Sequence, residues 1–378
     1  MKKKICLIGP AYPYRGGNAL FVAHLYSALS DKYNVHVINF TKLYPKFLFP
    51  GSRQEDISQV GVKTHPSERI INSTNPLTWF KAVRKIKQLN PDLIAFIWYN
   101  PFFGMAFNFI AGRLKKSFPG KTLFIAENII SHEARFVDSF LTNIALRHAD
   151  KFLVLSEVVE KEIKELYPDK KVFRSSLPIY DCYQFDSSIT KVTAREKINL
   201  SVDKNVILFF GYIRAYKGLM NLIEAMPKVL KYDNDTVLLI VGEFYEEKDK
   251  YLNEIEKLEL GKNVKIIAEF VPNEDVGLYY TASDLVVLPY KSATQSGILN
   301  IAYGFKRPVV VTNVGGLPEL VEEGKTGFIV EPNDPDALAE GIIKYFSLID
   351  KSSFEKNIDE FVQKNSFKSI EDVFEQIV

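Results

Sequence analysis

The sequence predicts an α/β protein built from two doubly wound parallel-sheet domains. Strand-like and helix-like segments alternate along nearly the whole chain, and the strand-like runs of Val, Ile and Leu are apolar throughout, as in strands buried on both faces of a sheet. The alternation lapses once, between Leu177 and Lys204, where Pro, Asp and Ser residues cluster, so a domain junction is predicted there. A chain of 378 residues that is 47% hydrophobic is long enough for two cores.

The first series of elements predicts a domain over residues 1–185. Its strand and helix signals follow one another as repeated βαβ winding. The predicted strands are Lys4–Gly9, Val35–Phe40, Leu93–Trp98, Thr122–Ala126 and Phe152–Leu155, and the predicted helices are Ala19–Leu29, Leu77–Gln88, Met105–Leu114, Phe140–His148 and Val158–Leu166. The segment Thr41–Arg69 has no clear periodicity and is predicted to be an irregular excursion.

The second series predicts a domain over residues 200–352, after a short charged helix near Ala194–Ile198. The predicted strands are Val206–Phe210, Thr236–Val241, Val264–Ile267, Leu285–Leu288 and Pro308–Val311, and the predicted helices include Leu219–Leu230, Lys250–Leu258, Glu274–Ala282 and Ala337–Ile349. Residues 353–378 are predicted to be an amphipathic C-terminal helix that could cross back to the first domain. Two such domains facing each other would leave a cleft between the carboxyl edges of their sheets, where ligands of α/β proteins bind.

Composition excludes several classes of protein. The formal net charge of +2 argues against a nucleic-acid-binding protein, whose basic face would shift the balance further. Cys6 and Cys182 are far apart and the five histidines are scattered, so no disulfide framework, metal site or other cofactor is predicted, and the cytoplasm is the expected compartment. No window approaches eighteen uninterrupted apolar residues, so no transmembrane helix is predicted.

A basic helical stretch with aromatic residues, Trp79–Lys87, leaves two interpretations open. It could make weak peripheral contact with an anionic membrane, at the inner face. It is equally the pattern of a crossover helix with a solvated basic face, which is the usual meaning of a charge run.

Two segments of the second domain are typical of a phosphate site. Ser296-Gly297 lies where a helix begins after a buried strand, and the unpaired N–H groups and dipole of a helix start favour an anion. The loop Gly211–Gly218 follows another strand and carries Arg214 and Lys217. The planar guanidinium group of Arg214 and the flexible ammonium group of Lys217 suit a diphosphate leaving group, whose negative charge increases as its bond breaks. The alternative is that both side chains are solvated surface cations.

The chain resembles the retaining glycosyltransferases of family four, which have the GT-B fold of two Rossmann-like domains. The resemblance is carried by Tyr14-Arg15-Gly16-Gly17, Gly211 to Gly218, Val241-Gly242-Glu243, Phe270-Val271-Pro272 and Gly315-Gly316-Leu317-Pro318-Glu319. It implies that the second domain binds a nucleoside-diphosphate sugar whose diphosphate is held by Arg214 and Lys217. It implies further that the first domain receives a glycan or lipid-linked acceptor and that no metal is needed.

The resemblance also assigns further contacts to the donor and the acceptor. Backbone N–H groups of Gly297, Ile298 and Leu299 would meet the diphosphate, Gly16-Gly17 would close over the donor, and backbone at Val271 would meet the nucleobase. The remaining expected donor contacts are Gly211, Glu243, Gln295, Ser296 and Glu319. His132, in a loop after a strand, could position the donor sugar or contact the acceptor, and its alternative is a helix-capping cluster.

One departure from the family keeps two functions open. Relatives usually carry two glutamates eight positions apart around the helix start, and here Ala293, Thr294 and Gln295 stand before it and Ile301 within it. A glycosyltransferase in which Gln295 bonds a sugar hydroxyl and a nucleotide-sugar-binding protein without transfer activity both fit. A nicotinamide-dependent oxidoreductase is disfavoured, because the first strand leads to Gly16-Gly17 and not to a Gly-x-Gly-x-x-Gly turn.

Overall fold

The computed structural model describes residues 1–45, 49, 53–58, 65–129, 136–179, 188–365 and 368–378. The chain divides into two compact units. The first, called the first domain, comprises Met1–Ile57, Lys63–Pro178 and Asn365–Val378, and the second domain comprises Ser58–Val62 and Ile179–Lys364. Each domain contains one sheet whose strand pairs are all parallel, so the predicted class of two doubly wound α/β domains is confirmed.

Among the described residues, the sheet of the first domain has seven strands. They are β1 Lys4–Ile8, β2 Asn34–Lys42, β3 Glu68–Asn72, β4 Leu93–Trp98, β5 Thr122–Ala126, β6 Lys151–Val154 and β7 Lys171–Arg174, in the order β3-β2-β1-β4-β5-β6-β7. The order reverses direction between β1 and β4, and the crevice at such a switch point is where open α/β sheets bind ligands.

Helices cover both faces of the first sheet, as the alternating side chains of its strands require. They are α1 Gly17–Ser30, α2 Pro76–Leu89, α3 Gly104–Lys115, α4 Phe136–Leu146 and α5 Glu157–Leu166. On β1, Cys6 and Ile8 belong to a core shared with α2 to α5, whereas Ile5 and Leu7 belong to a core shared with α1. Because successive side chains of a strand are buried on opposite faces of the sheet, nearly every position in these strands is apolar, which explains their continuous apolar runs.

In the described part of the chain, the sheet of the second domain has six strands. They are β8 Asn205–Phe210, β9 Thr236–Val241, β10 Val264–Ile267, β11 Leu285–Leu288, β12 Val309–Thr312 and β13 Gly327–Val330, in the order β10-β9-β8-β11-β12-β13. Its helices are α6 Lys191–Lys197, α7 Leu219–Tyr232, α8 Asp249–Lys257, α9 Asn273–Ala282, α10 Gly297–Gly304, α11 Pro335–Phe346 and α12 Ser352–Lys364. The switch point of this sheet lies between β8 and β11.

The C-terminal segment forms two helices, so the prediction of one helix over 353–378 is wrong. The first, α12, belongs to the second domain, and the second, α13 Lys368–Ile377, belongs to the first domain. Ile370, Phe374 and Ile377 of α13 are buried in the core that contains α1. The Lys151 ammonium donates to the Ile377 carbonyl at 2.7 Å, which fixes the end of α13 on the first sheet.

Sequence patterns missed three strands, β3, β7 and β13. All three are at the edges of their sheets. In β3 only Ile71 is buried, and in β7 only Phe173 is, so neither segment forms an apolar run. The end of the predicted excursion Thr41–Arg69 therefore belongs to β3, which buries too few side chains to show the pattern of a central strand.

Candidate active site

The loop after β8 is held rigidly against the neighbouring strand ends. The Gly211 N–H donates to the Val241 carbonyl and the Ile213 N–H donates to the Glu243 carbonyl, each at 2.9 Å. Residues 215–217 form a single 3₁₀ turn that ends at Gly218, where φ is +71°. A Cβ on Gly218 would lie 1.8 Å from the Pro289 carbonyl oxygen, so only glycine lets this loop pack on the end of β11.

Lys217 is buried at the carboxyl edge of the second sheet. Its side chain is 7% exposed, and its ammonium lies 5.7 Å from the centre of the Tyr290 ring. Burial, and secondarily the charge of Arg214, lowers the pKa of Lys217 from 10.5 to about 8. Among the described residues no carboxylate pairs with this ammonium. The interpretation of Lys217 as a solvated surface cation is therefore wrong.

Arg214 is half-buried three residues before Lys217, and its guanidinium lies over an aromatic ring. The guanidinium carbon is 5.1 Å from the centre of the Tyr245 ring. That ring stacks in turn on Tyr212, with 4.6 Å between centres and 28° between planes. Stacking on an aromatic ring limits the positions that the Arg214 guanidinium group can adopt.

The start of α10 has no side-chain cap. Ser296 is the N-cap residue, but its buried hydroxyl bonds the Tyr290 hydroxyl at 3.2 Å instead of a backbone N–H of the first turn. The first turn consists of Gly297, Ile298 and Leu299. Its backbone N–H groups are thus left to an external acceptor, as a bound anion requires.

Gly211 joins the cationic loop to this helix start. Its φ is +104°, and a Cβ built on it would lie 3.1 Å from the Lys217 ammonium nitrogen and 3.1 Å from Ile298 Cδ1. Three of the predicted donor-site positions, Gly211, Lys217 and Ile298, are therefore brought together at the switch point of the second sheet.

The segment before α10 packs against the glycine loop after β12. Gly315 has φ of +52°, and a Cβ on it would lie 1.5 Å from the Ala293 carbonyl oxygen. The Gly316 N–H donates to the Thr294 carbonyl at 3.1 Å. The next residue, Gln295, has a buried Nε2 without a hydrogen-bond partner, which is an unsatisfied donor beside the helix start.

The other predicted donor contacts lie at neighbouring strand ends. Glu243 follows β9, and Val271 is buried just before α9. Glu319 lies exposed in a three-residue 3₁₀ turn, Pro318–Leu320, and no α-helix begins there. In the sequence, Gly315-Gly316 after the predicted strand Pro308–Val311 favours a helix start at this point, and that prediction is wrong. A helix dipole therefore does not explain the acidic side chain at this position.

In the first domain, Gly16 is the N-cap residue of α1 and Gly17 is its first residue. Gly16 has φ of +106°, and no atom lies within 4 Å of a Cβ built on either glycine. His132 lies outside the described residues, as do its neighbours Ser131 and Glu133.

Three side chains near these loops were not predicted from the sequence. Tyr290 contacts both Lys217 and Ser296, Tyr245 lies under Arg214, and Glu127 has a raised pKa at the end of β5. Each comes one to four residues after a buried strand. That position was the available signal, but an aromatic or acidic residue there is common and does not by itself indicate a site.

The basic stretch on α2 contributes its tryptophan to the core. Trp79 is buried and its indole N–H donates to the Asn72 carbonyl at 2.8 Å, while Phe80 and Leu77 remain exposed. Arg113 of α3 lies 4.7 Å from the Phe80 ring centre. Across the described part of the chain, no helix is long and apolar enough to cross a membrane.

Comparison with known proteins identifies the segment that carries the cationic loop and the helix start. Residues 190–361, slightly less than half of the chain, match the family model of the glycosyl transferases group 1. The matched segment contains Arg214, Lys217 and the whole of α10.

Curated relatives match this chain over part of its length. An uncharacterized glycosyltransferase of Methanocaldococcus jannaschii is 31% identical over 169 residues, which are 44% of this chain and 42% of the relative. The capsular polysaccharide biosynthesis glycosyltransferase CapM of Staphylococcus aureus is 26% identical over 246 residues, 63% of this chain and 61% of the relative. The chain spans about half of the length of the curated relatives that it matches.

A solved structure matches both domains. HepE of Anabaena, in complex with UDP, superposes with a TM-score of 0.74 at 18% identity, over 99% of this chain and 98% of that one. HepE has also been solved with UDP-glucose. At this identity the likeness shows the fold, and the expected GT-B fold is confirmed.

Proposed function

We propose that the chain is a glycosyltransferase that moves a sugar from a nucleoside-diphosphate sugar to a hydroxyl of a glycan or lipid-linked acceptor, with retention of anomeric configuration. The observation that carries the proposal is the buried, unpaired ammonium of Lys217 beside Arg214 and the uncapped start of α10. Burying a cation without a counter-ion is unfavourable, so the arrangement is best explained by an anionic ligand that neutralises it.

Arg214, Lys217 and the first turn of α10 would hold the diphosphate of the donor. Negative charge on the leaving oxygen increases as the bond from the sugar C1 breaks, and preorganised cations and N–H groups in a buried site stabilise that charge. Gly211 would let the diphosphate approach Lys217 closely, since it adds no side chain at the meeting point.

The remaining predicted positions would bind the rest of the donor. The unsatisfied Gln295 amide would donate to a hydroxyl of the sugar, and backbone at Val271 would meet the nucleobase. Glu243 and Glu319 would contact the donor from the loops after β9 and β12, and Gly16-Gly17 and His132 would act from the first domain. These roles follow the family resemblance.

Retention would proceed on one face of the sugar. The bond between the sugar C1 and the diphosphate oxygen breaks, the acceptor oxygen bonds to C1 on the same side, and the acceptor proton passes to the departing phosphate oxygen. The phosphate then serves as the base, so the site needs no protein carboxylate for proton removal.

Nucleotide binding tests the donor site directly. UDP, GDP, ADP, CMP, dTDP and NAD are added in thermal-shift measurements to the wild type and to the double variant Arg214→Ala, Lys217→Ala. UDP is tested first because the structure of HepE was solved in complex with UDP. A nucleoside diphosphate should raise the wild-type melting temperature and leave that of the folded double variant unchanged. Stabilisation by NAD alone, or equal stabilisation of both proteins, would refute the proposal.

A nucleotide-sugar-binding protein without transfer activity is the second candidate. The absence of both family glutamates around α10 favours it, since Ala293, Thr294 and Ile301 lack carboxylates. To separate the two functions, the protein is incubated with sugar derivatives of the nucleoside diphosphate that stabilises it, with and without glycan acceptors. Release of the nucleoside diphosphate is then measured. Binding without any release would favour the second candidate.

A chelator is expected to leave turnover unchanged. The proposed charge stabilisation comes from two cations and a helix start, and among the described residues no group of three or more His, Cys, Asp or Glu side chains is placed to hold a metal ion. The measurement is the initial rate before and after EDTA treatment, with added Mg²⁺ and Mn²⁺ as controls. A rate that falls with EDTA and recovers with either ion would contradict the charge argument.

A further inference from the structure

The first domain holds a carboxyl group that the proposed reaction does not use. Glu127 follows β5, and its backbone N–H donates to the Trp98 carbonyl at 3.0 Å. Its side chain is half-buried, and burial raises the pKa of the carboxyl from 4.5 to about 8. At neutral pH the group is therefore mostly protonated and both donates and accepts hydrogen bonds.

Asn18, in the first turn of α1, contacts this carboxyl group. With its nitrogen turned to Glu127, the Asn18 amide donates to Oε2 at 2.6 Å and to Oε1 at 3.0 Å. The first strand of the sheet leads to α1, and β4 lies between β1 and β5, so the pair spans the switch point of the first sheet. Ligands of open α/β sheets bind at that place.

Space and unsatisfied polar groups lie beside the pair. Gly16 and Gly17 precede Asn18, and among the described residues no atom would contact a Cβ on either glycine within 4 Å. Asn128, the residue after Glu127, has a buried Oδ1 without a hydrogen-bond partner. A ligand hydroxyl that donates to that oxygen would satisfy it.

Charge distinguishes a neutral ligand from an anion at this site. The uncapped start of α1 would by itself favour an anion. Neither Glu127 nor Asn18 supplies a cation to pair with an anion, and an anion beside Glu127 would make ionisation of the carboxyl group still less favourable. A sugar hydroxyl carries no charge, and its donor and acceptor atoms match a protonated carboxyl group.

We propose that Glu127 and Asn18 bind the hydroxyl of the acceptor that receives the sugar. The inference rests on the proposed glycosyltransferase function and names the residues of the acceptor site within it. Glu127 contacts the hydroxyl, and Asn18 is a positioning residue that fixes the plane of the carboxyl group. Neither residue removes the proton, which passes to the departing phosphate.

Binding of neutral sugars gives the first test. The methyl glycosides of glucose, galactose, mannose and N-acetylglucosamine are probed by saturation-transfer NMR in the presence of UDP. At least one should bind the wild type and lose its signal with Glu127→Leu, while Glu127→Gln, which keeps a donor and an acceptor, should retain it. If no glycoside binds the wild type, or if the leucine variant binds as well, the site assignment is refuted.

The kinetic test separates the acceptor from the donor sugar. With UDP-glucose as donor and the bound glycoside as acceptor, Glu127→Leu should raise the acceptor KM by about 10- to 100-fold, as expected when a hydroxyl loses its bonding partner. The donor KM and the hydrolysis of UDP-glucose should stay within about two-fold. A raised donor KM would assign Glu127 to the donor sugar and overturn the acceptor assignment.

Controls distinguish a local effect from loss of the fold or of the function. Glu162 on α5 is another half-buried glutamate whose pKa is raised by burial, and Glu162→Gln should bind and turn over as the wild type does. Asn18→Ala should weaken acceptor binding less than Glu127→Leu. If Glu127→Gln fails as fully as Glu127→Leu, a neutral hydrogen-bonding role is excluded. Absence of nucleotide binding by the wild type would instead contradict the proposed function itself.

Discussion

Lys217→Met is expected to lower the turnover number by about 10²- to 10³-fold and, at the same time, to make the folded protein more stable at neutral pH. Turnover should fall because the variant removes one of the two cations that stabilise the departing diphosphate. Stability should rise because methionine fills a similar volume without a buried charge. A residue whose removal improves the fold but impairs the reaction is typical of a functional site.

The pKa of Lys217 gives the size and the sign of the stability change. Lowering it from 10.5 to about 8 corresponds to a destabilisation of at most about 3 kcal/mol, at 1.36 kcal/mol per unit. Below pH 8 the lysine is charged in both states and the full penalty is present. Between about pH 8 and 10.5 the unfolded chain binds the proton that the folded chain has lost, so the wild-type free energy of unfolding rises with pH.

Urea unfolding followed by circular dichroism at pH 7 and pH 10 measures this change. The stability advantage of Lys217→Met over the wild type should be present at pH 7 and much smaller at pH 10. The control is Lys291→Met, which changes an exposed lysine in the loop after β11 and should alter stability by less than about 0.5 kcal/mol and leave turnover unchanged. A variant that is less stable than the wild type at pH 7 would show that Lys217 has a counter-ion in the folded state.

All central strands that the structure describes were predicted from the sequence, and of the four edge strands only Val264–Ile267 was. Val206–Phe210 and Leu93–Trp98 are buried on both faces, so their apolar runs identified them with nearly the observed bounds. Edge strands such as Glu68–Asn72 bury one side chain and resemble loops. The break between α12 and α13 was missed for a different reason, because both helices are amphipathic and the pattern continues across it.

The backbone features of the candidate site were easier to predict than its side-chain contacts. Gly211 and Gly218 have positive φ values, which strain any other residue, and Arg214 and Lys217 stand between them. Burial of Lys217, however, depends on Tyr290, which follows β11 and lies 73 residues after Lys217 in the sequence. The same holds for Glu127, whose partner Asn18 comes from another element. Such contacts arise from the tertiary fold and leave no local pattern.

Arg195→Met is expected to destabilise the second domain by about 3–5 kcal/mol, the largest effect on stability that we predict. Arg195 lies on α6 and is 1% exposed, and its guanidinium bonds Asp284 Oδ2 at 2.7 Å. It also donates to the carbonyls of Ala282 at 2.9 Å and Lys204 at 2.8 Å and to that of Val202. Removing the guanidinium leaves a largely buried carboxylate and these carbonyls without their donor.

Asp284 links this arginine to the sheet. Asp284 lies just before β11, and its Oδ2 also accepts a hydrogen bond from the Val206 N–H at 2.8 Å. The carboxylate therefore connects α6 with the start of β8. Lys191 contacts the other carboxylate oxygen from the solvent side and is 47% exposed. Lys191→Met is therefore the matched control. It removes a cation from the same carboxylate, but a solvated pair contributes less than about 1 kcal/mol.

Two spectroscopic signals distinguish the domains in this experiment. Both tryptophans, Trp79 and Trp98, belong to the first domain, so fluorescence reports on that domain while circular dichroism reports on both. In urea, Arg195→Met should shift the dichroism transition of the second domain far more than Lys191→Met does. Adding Asp284→Asn to Arg195→Met should recover part of the loss, since no unpaired carboxylate is then buried. Equal shifts for the arginine and lysine variants would show that the buried pair contributes no more than a surface one.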